Sequence, residues 1–463
     1  MSEGYQTGYE TGARPAGSYN LVSFKVYTFE ADGTLSDEVE ISNLIYGWTL
    51  SESIGAGHIS GLARVLDANG VFYNKPLRGQ EFATVTYADF RGIERTERLF
   101  IYSVTDVEPA SDNSDDSLSY NLQFVSWGKF WSDRYSVSRC IAQGTGKGRK
   151  YIPISEQVQV LFDDYYKKEN EASGSQIGSA KDIDISFSDG KGKIVIPNMA
   201  PEGAMHLMSR KAYSAEYPSN YFRFFETREK YYFINMEELV STRDTKARFT
   251  YASNPVGISG DAEVRKMNEV ISLSYGTVVD TFQAMSNGAY YRKVNELDLN
   301  NRTVRAHEYK HHEEYENFAY PDSKDNPKAK HELTHSESFV NAHMNNWHDI
   351  WVTKDYPDAG FHDADGLRPK TYYGDIYNTK VSNVLHYGES RTSITVYGSN
   401  ELFAGDIIHL TLPQFRVGTF EKDTKRSGRY IVESVTNVFK ENIYTQELTL
   451  VKGPLLKEGQ SIK

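Results

Sequence analysis

Apolar and polar positions alternate along the first third of the chain. Leu21-Val22-Ser23-Phe24-Lys25-Val26-Tyr27 has a period of two and stops at the turn Ala31-Asp32-Gly33. The alternation returns over residues 82–90, 98–107 and 119–125, with polar linkers between the runs. Ser111-Asp112-Asn113-Ser114-Asp115-Asp116-Ser117 reads as a solvated hairpin loop. Short strands at this spacing predict a small barrel or sandwich.

The period changes after about Tyr135. Ser155 stands as a helix N-cap ahead of the stripe Val158, Val160, Leu161 and Tyr165. Pro201 fits the first turn of a helix through Met205, Leu207, Met208 and Ala212. Strands over 221–226 and 230–235 follow, joined by the tight link Thr227-Arg228-Glu229. This stretch predicts a mixed α/β domain. Strands resume over 269–275, a helix-like segment at 281–285 stops at Asn287-Gly288, and 289–294 and 303–309 extend the β region. Residues 307–379 are polar, irregular and rich in His, and read as an insertion. Runs at 392–397, 406–412, 429–438 and 445–451 make the last β block.

That last block repeats the first. Ile101-Tyr102-Ser103-Val104-Thr105-Asp106-Val107 matches Val432-Glu433-Ser434-Val435-Thr436-Asn437-Val438. The shared core is Ser103, Val104, Thr105 and Val107 against Ser434, Val435, Thr436 and Val438. Upstream, Leu77-Arg78-Gly79-Gln80-Glu81 answers Leu402-Phe403-Ala404-Gly405-Asp406; downstream, Leu122-Gln123-Phe124-Val125 answers Leu448-Thr449-Leu450-Val451. The expectation is a β-rich α+β chain. It has two related small β-barrels, an α/β domain between them and an insertion in the second barrel. The boundaries are an N-terminal arm at 1–17, a first barrel at 18–135, the α/β domain at 136–245 and a second barrel at 246–306 and 380–457. The insertion takes 307–379 and a tail 458–463.

Composition narrows the function. Among 463 residues, 33 Tyr and 23 Phe favour a pleated, half-buried surface. The net charge of −12, from 51 basic against 63 acidic residues, argues against a protein that grips phosphate backbones. Cys140 is the only cysteine, so no intrachain disulfide forms and a reducing cytosol suits folding. The Gly-, Tyr- and Ser-rich start has no apolar core of a signal peptide and reads as a flexible arm. No apolar run approaches the roughly 20 residues of a membrane span, which predicts a soluble protein.

Specific residues then carry a resemblance. Lys193-Ile194-Val195-Ile196-Pro197-Asn198-Met199-Ala200-Pro201, Lys211-Ala212-Tyr213-Ser214 and Tyr221-Phe222-Arg223-Phe224-Phe225-Glu226-Thr227-Arg228 resemble the middle domain of baseplate hub proteins from contractile-tailed phages. Gly405-Asp406-Ile407-Ile408, Ser427-Gly428-Arg429-Tyr430-Ile431-Val432 and the strand from Leu448 to Val451 resemble the same superfamily. It includes late-control tail proteins and the spike-hub proteins of type VI secretion. The resemblance implies a structural, non-enzymatic homotrimer with no cofactor. Three chains with two similar units each would match a hexameric tail tube. The tube or a tube-initiator protein would lie above and a central spike or needle below. The tape measure protein and the baseplate wedge are further implied neighbours. DNA would pass through an acidic bore without specific binding. The site would be the virion baseplate, after assembly in the host cytoplasm.

Other patterns point elsewhere. His331-Glu332-Leu333-Thr334-His335 fits the zinc-protease spacing H-E-x-x-H, with His343 and His348 nearby. Its flanks Asn326-Pro327-Lys328-Ala329-Lys330 and Ser336-Glu337-Ser338 would leave a helix polar all round, and Ser338 and Asn341 stand where a further ligand belongs. Solvated histidines are the simpler reading; a zinc-dependent peptidase or wall hydrolase is the enzymatic alternative. Gly144-Thr145-Gly146-Lys147-Gly148-Arg149-Lys150 lacks the Ser or Thr of a phosphate loop, and Asp363-Ala364-Asp365-Gly366 lacks the closing Glu of a calcium loop. Trp127 and Trp131 read as packing residues, and Asp163-Asp164 and Glu237-Glu238 as helix-end acids. A tail-fibre or receptor-binding protein is the alternative within assembly proteins, although no shaft repeat is present.

Overall fold

A computed structural model describes residues 15–29, 35–74, 77–111, 114–142, 151–167, 181–192, 194–251, 266–276, 281–298, 302–314, 317–321, 349–354, 360–362, 369–388, 390–414, 421–424 and 426–453. The segments Ala31-Asp32-Gly33, 143–150, 322–348 and 363–368, with most of the arm and all of the tail, lie outside the described residues. So do His331, His335, His343 and His348.

The first module holds β1 (Asn20–Phe29), β2 (Leu35–Glu40), β3 (Ile45–Ser53), β4 (Ser60–Asp67), β5 (Glu81–Ala88), β6 (Glu94–Ser111) and β7 (Ser114–Ser126), with α1 (Val71–Asn74) before β5 and α2 (Trp127–Asp133) at the end. The middle domain has α3 (Ile154–Tyr165), β8 (Ile183–Ile185), α4 (Pro201–Lys211), β9 (Phe222–Glu226), β10 (Tyr231–Asn235) and α5 (Met236–Thr242). Then come β11 (Thr245–Thr250), β12 (Val270–Tyr275), α6 (Thr281–Ser286), β13 (Tyr291–Asp298), β14 (Thr303–Lys310), α7 (His311–Glu314), β15 (Asp349–Lys354), β16 (Gly360–His362), β17 (Pro369–Tyr372) and α8 (Tyr373–Tyr387). β18 (Arg391–Tyr397), β19 (Ile407–Thr411), β20 (Gly428–Lys440) and β21 (Ile443–Val451) close the chain.

The β-rich expectation holds, but the two barrels do not. Among the described residues the strands form one 13-stranded sheet in the order β12-β18-β21-β20-β3-β4-β7-β6-β5-β1-β2, with β19 and β11 branching from β20. The physical reason is the seam. β3 uses its second edge on β20, from Ser53 opposite Ser434 to Gly47 opposite Lys440, and not on a strand of its own module. β13 and β14 also leave the large sheet, pairing with each other and with β15 in a separate three-stranded sheet. α8 lies against β13 and β14, so the stretch read as irregular is in part structured. The solvated loop at 111–117 is shorter than expected, because β6 and β7 run on to the pair Ser111 and Ser114. Ser155 is not the N-cap of α3. Pro153 holds that place, and the Ser155 amide is met by the distant Ser188 hydroxyl at 2.8 Å.

The ladders of the two modules run in one register. In the first, Phe100 faces Val125, Ile101 faces Phe124, a bulge follows, and Ser103, Val104 and Thr105 face Gln123, Leu122 and Asn121. In the second, Ile431 faces Val451, Val432 faces Leu450, a bulge follows, and Ser434, Val435 and Thr436 face Thr449, Leu448 and Glu447. β4 meets β7 as β18 meets β21, with Gly61 opposite Phe124 and Thr392 opposite Leu450. β3 meets β4 as β12 meets β18, each with a bulge after its first pair, at Ile45/Gly47 and Val270/Ser272. After Thr105 the modules diverge: Asp106 takes a positive φ of 52°, a second bulge follows, and Glu108 instead of Val107 comes opposite Ser119.

Volume is traded across one of these equivalent pairs. Gly61 faces the large ring of Phe124, and a Cβ on it would stand 2.2 Å from the Thr49 carbonyl and 2.3 Å from that ring. The counterpart Thr392 is β-branched and faces the smaller Leu450. Gly61→Ala should therefore cost about 2–3 kcal/mol through overpacking. Urea unfolding checks this, and Phe124→Leu in the same chain should recover only part of the loss, because the Thr49 carbonyl stays in place.

Candidate functional site: the junction of the two β modules

Alternation along β3 puts Trp48, Leu50 and Glu52 on one buried face. Glu52 is 2% exposed, at a place where the period calls for an apolar residue. Its partner comes from the middle domain. The turn between β9 and β10 is held by the Thr227 amide donating to the Lys230 carbonyl at 2.9 Å, and it drives Arg228 into the seam.

Arg228 bonds to elements of both modules. Its amide donates to Glu52 Oε2 at 2.8 Å, and its Nε lies 3.6 Å from the same oxygen. Nη1 donates to the hydroxyls of Tyr87 on β5 at 3.3 Å and Tyr444 on β21 at 3.1 Å, and Nη2 donates to the Leu402 carbonyl at 2.6 Å. Glu52 Oε1 accepts from the Ala404 amide at 3.0 Å. Burial pushes the Tyr87 hydroxyl up to about 12 and raises Tyr444 as well, so both remain neutral phenols able to accept from the guanidinium. Around them Trp48 stacks on Phe439 at 3.9 Å, and Tyr444 stacks on Phe439 at 4.2 Å.

A second buried group extends the junction. Glu226 accepts from the Ser126 hydroxyl at 2.5 Å, the Ile59 amide at 3.3 Å and Lys181 Nζ at 2.9 Å. Lys181 also lies 3.6 Å from Glu97, whose pKa burial raises and Lys181 opposes. A cavity of about 460 Å³ opens beside these groups, lined by Glu97, Lys181, Glu226, Arg228 and Trp127 among others. Nearby, Glu202 at the start of α4 accepts from the Gly57 amide, His58 and Lys129. Burial pushes that carboxyl up, but the bonds from His206, His58 and Lys129 pull it well below the usual carboxylate range.

Lys380 on α8 ties the later segment to the middle domain. Its Nζ donates to the carbonyls of Ser209 and Arg210 at 2.7 Å each, at the end of α4, with the Ala212 carbonyl at 3.5 Å. Burial, with Arg223 and Arg210 nearby, pulls this amine down to about 7. A neutral amine has two N–H donors for the two short bonds.

Several strand edges lack a second partner among the described residues, and two of them lie on strands with a counterpart in the other module. β6 has β7 on one side throughout, but β5 covers its other side only up to Ile101. β12 ends the sheet path, with β18 on its one paired side. Tyr102, Val107 and Ile271 are 49%, 46% and 48% exposed along these edges.

The repeat residues fall beside the junction. Ser103, Val104 and Thr105 lie on β6, and Ser434, Val435, Thr436 and Val438 on β20, where β3 covers them. Val107 is exposed past the second bulge. Trp127 and Trp131 are buried against Phe82. Glu237 accepts from the Ser219 and Ala319 amides, while Asp163 and Asp164 end α3. Among the described residues no group of three His, Cys, Asp or Glu side chains is placed to hold a metal ion, and no helix is long and apolar enough to cross a membrane. Sequence reasoning missed Glu52 and Arg228; the one available signal was an acid at an apolar position of a period-two run.

No family model matches the sequence, and no curated protein matches it. The fold is shared with the tail protein from Neisseria meningitidis MC58, at a TM-score of 0.51 and 10% identity, over 94% of this chain and 97% of that one. The 43 kDa tail protein of prophage MuSo2 from Shewanella oneidensis is similar at a TM-score of 0.48 and 9% identity, over 93% of this chain and 98% of that one. The prophage tail protein gp18 from Listeria monocytogenes EGD-e gives 0.43 and 9%, over 93% and 95%. The assignment of fold rests on the first.

Arg228→Met should destabilise the chain by about 3–5 kcal/mol, because Glu52 is left buried without its cation. Adding Glu52→Gln should return a large part of that loss, a coupling read from a double-mutant cycle by chemical unfolding. For Lys380, a folded pKa near 7 lies below the roughly 10.4 of the unfolded chain. The unfolded state then binds more protons between the two values, and stability rises with pH across that window. Thermal melts at pH 7 and 9 should show this gain in the unaltered chain and not in Lys380→Met.

Proposed function

We propose that this chain is a structural hub subunit of a phage tail, assembling as a trimer whose six β modules form one ring. The observation that carries this reading is the common register of the ladders, with bulges at equivalent places in β6 and β20 and again in β3 and β12. Independent sheets have no reason to share both bulges; copies of one unit do. The residues from Ser103 to Thr105 and from Ser434 to Thr436 are then equivalent parts of that unit. Modules at 18–135 and after the middle domain at 136–245 complete the reading.

Two like units in one chain match a six-fold partner with three copies. The proposed neighbours are a hexameric tube or tube initiator on one side and a three-fold spike on the other, with the tape measure and wedge proteins adjoining. The net charge of −12 per chain suits a bore that DNA crosses without sticking. The shared fold with a Neisseria meningitidis tail protein supports a place in the tail. The buried polar groups of the junction bind one another, a structural role that requires no chemistry at a substrate.

Sedimentation and native mass measurement of the purified chain should give three copies, with six similar lobes in electron-microscope images. A monomer at micromolar concentration would overturn the proposal.

A further inference from the structure

We infer that copies of this chain join by strand addition, β12 of one copy pairing with the open half of β6 in the next. The inference rests on the ring reading above and names the joint that closes it. Its basis is the seam already present within each chain. There, β3 lies along β20 from Ser434 to Lys440, just past the point where β19 stops covering that strand at Ile431. β6 repeats the arrangement: β5 stops at Ile101, and the strand runs on to Ser111 with that side open.

The missing occupant is identified by register. β3 from Gly47 to Leu50 corresponds to β12 from Ser272 to Tyr275, since both face equivalent residues of β4 and β18. β12 is also a terminal strand of the sheet path, which β2 ends on the other side, and only β12 is the counterpart of β3. Among the described residues the seam between β3 and β20 is thus filled, while its counterparts, the far half of the β6 edge and the edge of β12, are unpaired. A head-to-tail contact of this kind adds copies until rotation closes a ring.

Burial agrees. Phe439 is buried and Val438 half-buried where β3 crosses β20, whereas Glu108, the counterpart of Val438, is exposed on β6, as are Tyr102 and Val107. Carrying the filled seam over places Ser274 of one copy opposite Glu108 of the next, as Thr49 lies opposite Val438. Leu273 then faces Pro109, where the ring nitrogen has no hydrogen to donate and the ladder ends. An unpaired run of this length would otherwise be an invitation to aggregate.

The test is a cross-link. In a Cys140→Ser background, Ser274→Cys with Glu108→Cys should give covalent species up to three chains on a non-reducing gel, and neither single variant should. Thr49→Cys with Val438→Cys serves as the control and should close within one chain. Three copies by native mass without cross-linking would overturn the seam and leave the ring standing. A monomeric unaltered chain would overturn the ring and the seam with it. Hydrogen exchange on the unaltered assembly gives a reading free of substitutions. Amides of residues 272–275 and 106–108 should be protected, and rapid exchange at both would overturn the seam.

Discussion

The architecture depends on one buried cation. Arg228 enters the seam from a turn of the middle domain; its amide donates to Glu52 on β3, and its guanidinium to Tyr87 on β5, to Tyr444 on β21 and to the Leu402 carbonyl between β18 and β19. A guanidinium in such a place is tolerated because both of its terminal nitrogens donate to buried acceptors while Nε lies 3.6 Å from the Glu52 carboxylate. The price of a misfit is high, and so a single side chain fixes three parts of the chain relative to one another. The aromatic cluster of Trp48, Tyr87, Phe439 and Tyr444 fills the space around it and keeps water out.

Backbone continuity supplies the second constraint. Because β3 pairs with β20, the two modules are one ladder and their relative twist is set by strand geometry, not by side-chain packing across a domain interface. The Glu226–Lys181 group, through Ser126 and Ile59, and the Glu202 cluster brace the middle domain against the first module. Lys380 does the same for the helix α8 against α4.

Much of this was legible in the sequence, and what was not has physical causes. The strands with clean alternation, such as β1, β5 and β7, were found because one face of each meets a core. β3 and β4 were passed over: Gly47, Gly61 and Glu52 interrupt their apolar period, and each interruption is explained by a neighbour that a linear reading does not contain. The match of Ser103-Val104-Thr105 with Ser434-Val435-Thr436 was visible as letters. Its limit was not, because Asp106 inserts a residue by backbone conformation, and Val107 thereby loses the position that Val438 holds. Barrel closure was inferred from strand spacing alone, which carries no information on which edge pairs with which. The junction was least legible of all, since Arg228 looked like an ordinary residue of a polar turn.

The second bulge at Asp106 makes the two halves of the duplication unequal in one respect. The acceptor edge of β20 is filled by a strand on the same polypeptide, at an effective concentration that never falls. In the proposed ring, the edge of β6 is instead filled by a strand from another molecule. Selection can therefore act on the two differently: a weakened contact at β20 is masked by the tether, while the same weakening at β6 is felt as dilution. In the ring proposed here, carrying two units on one chain halves the joints between molecules from six to three and leaves the other three to the covalent chain.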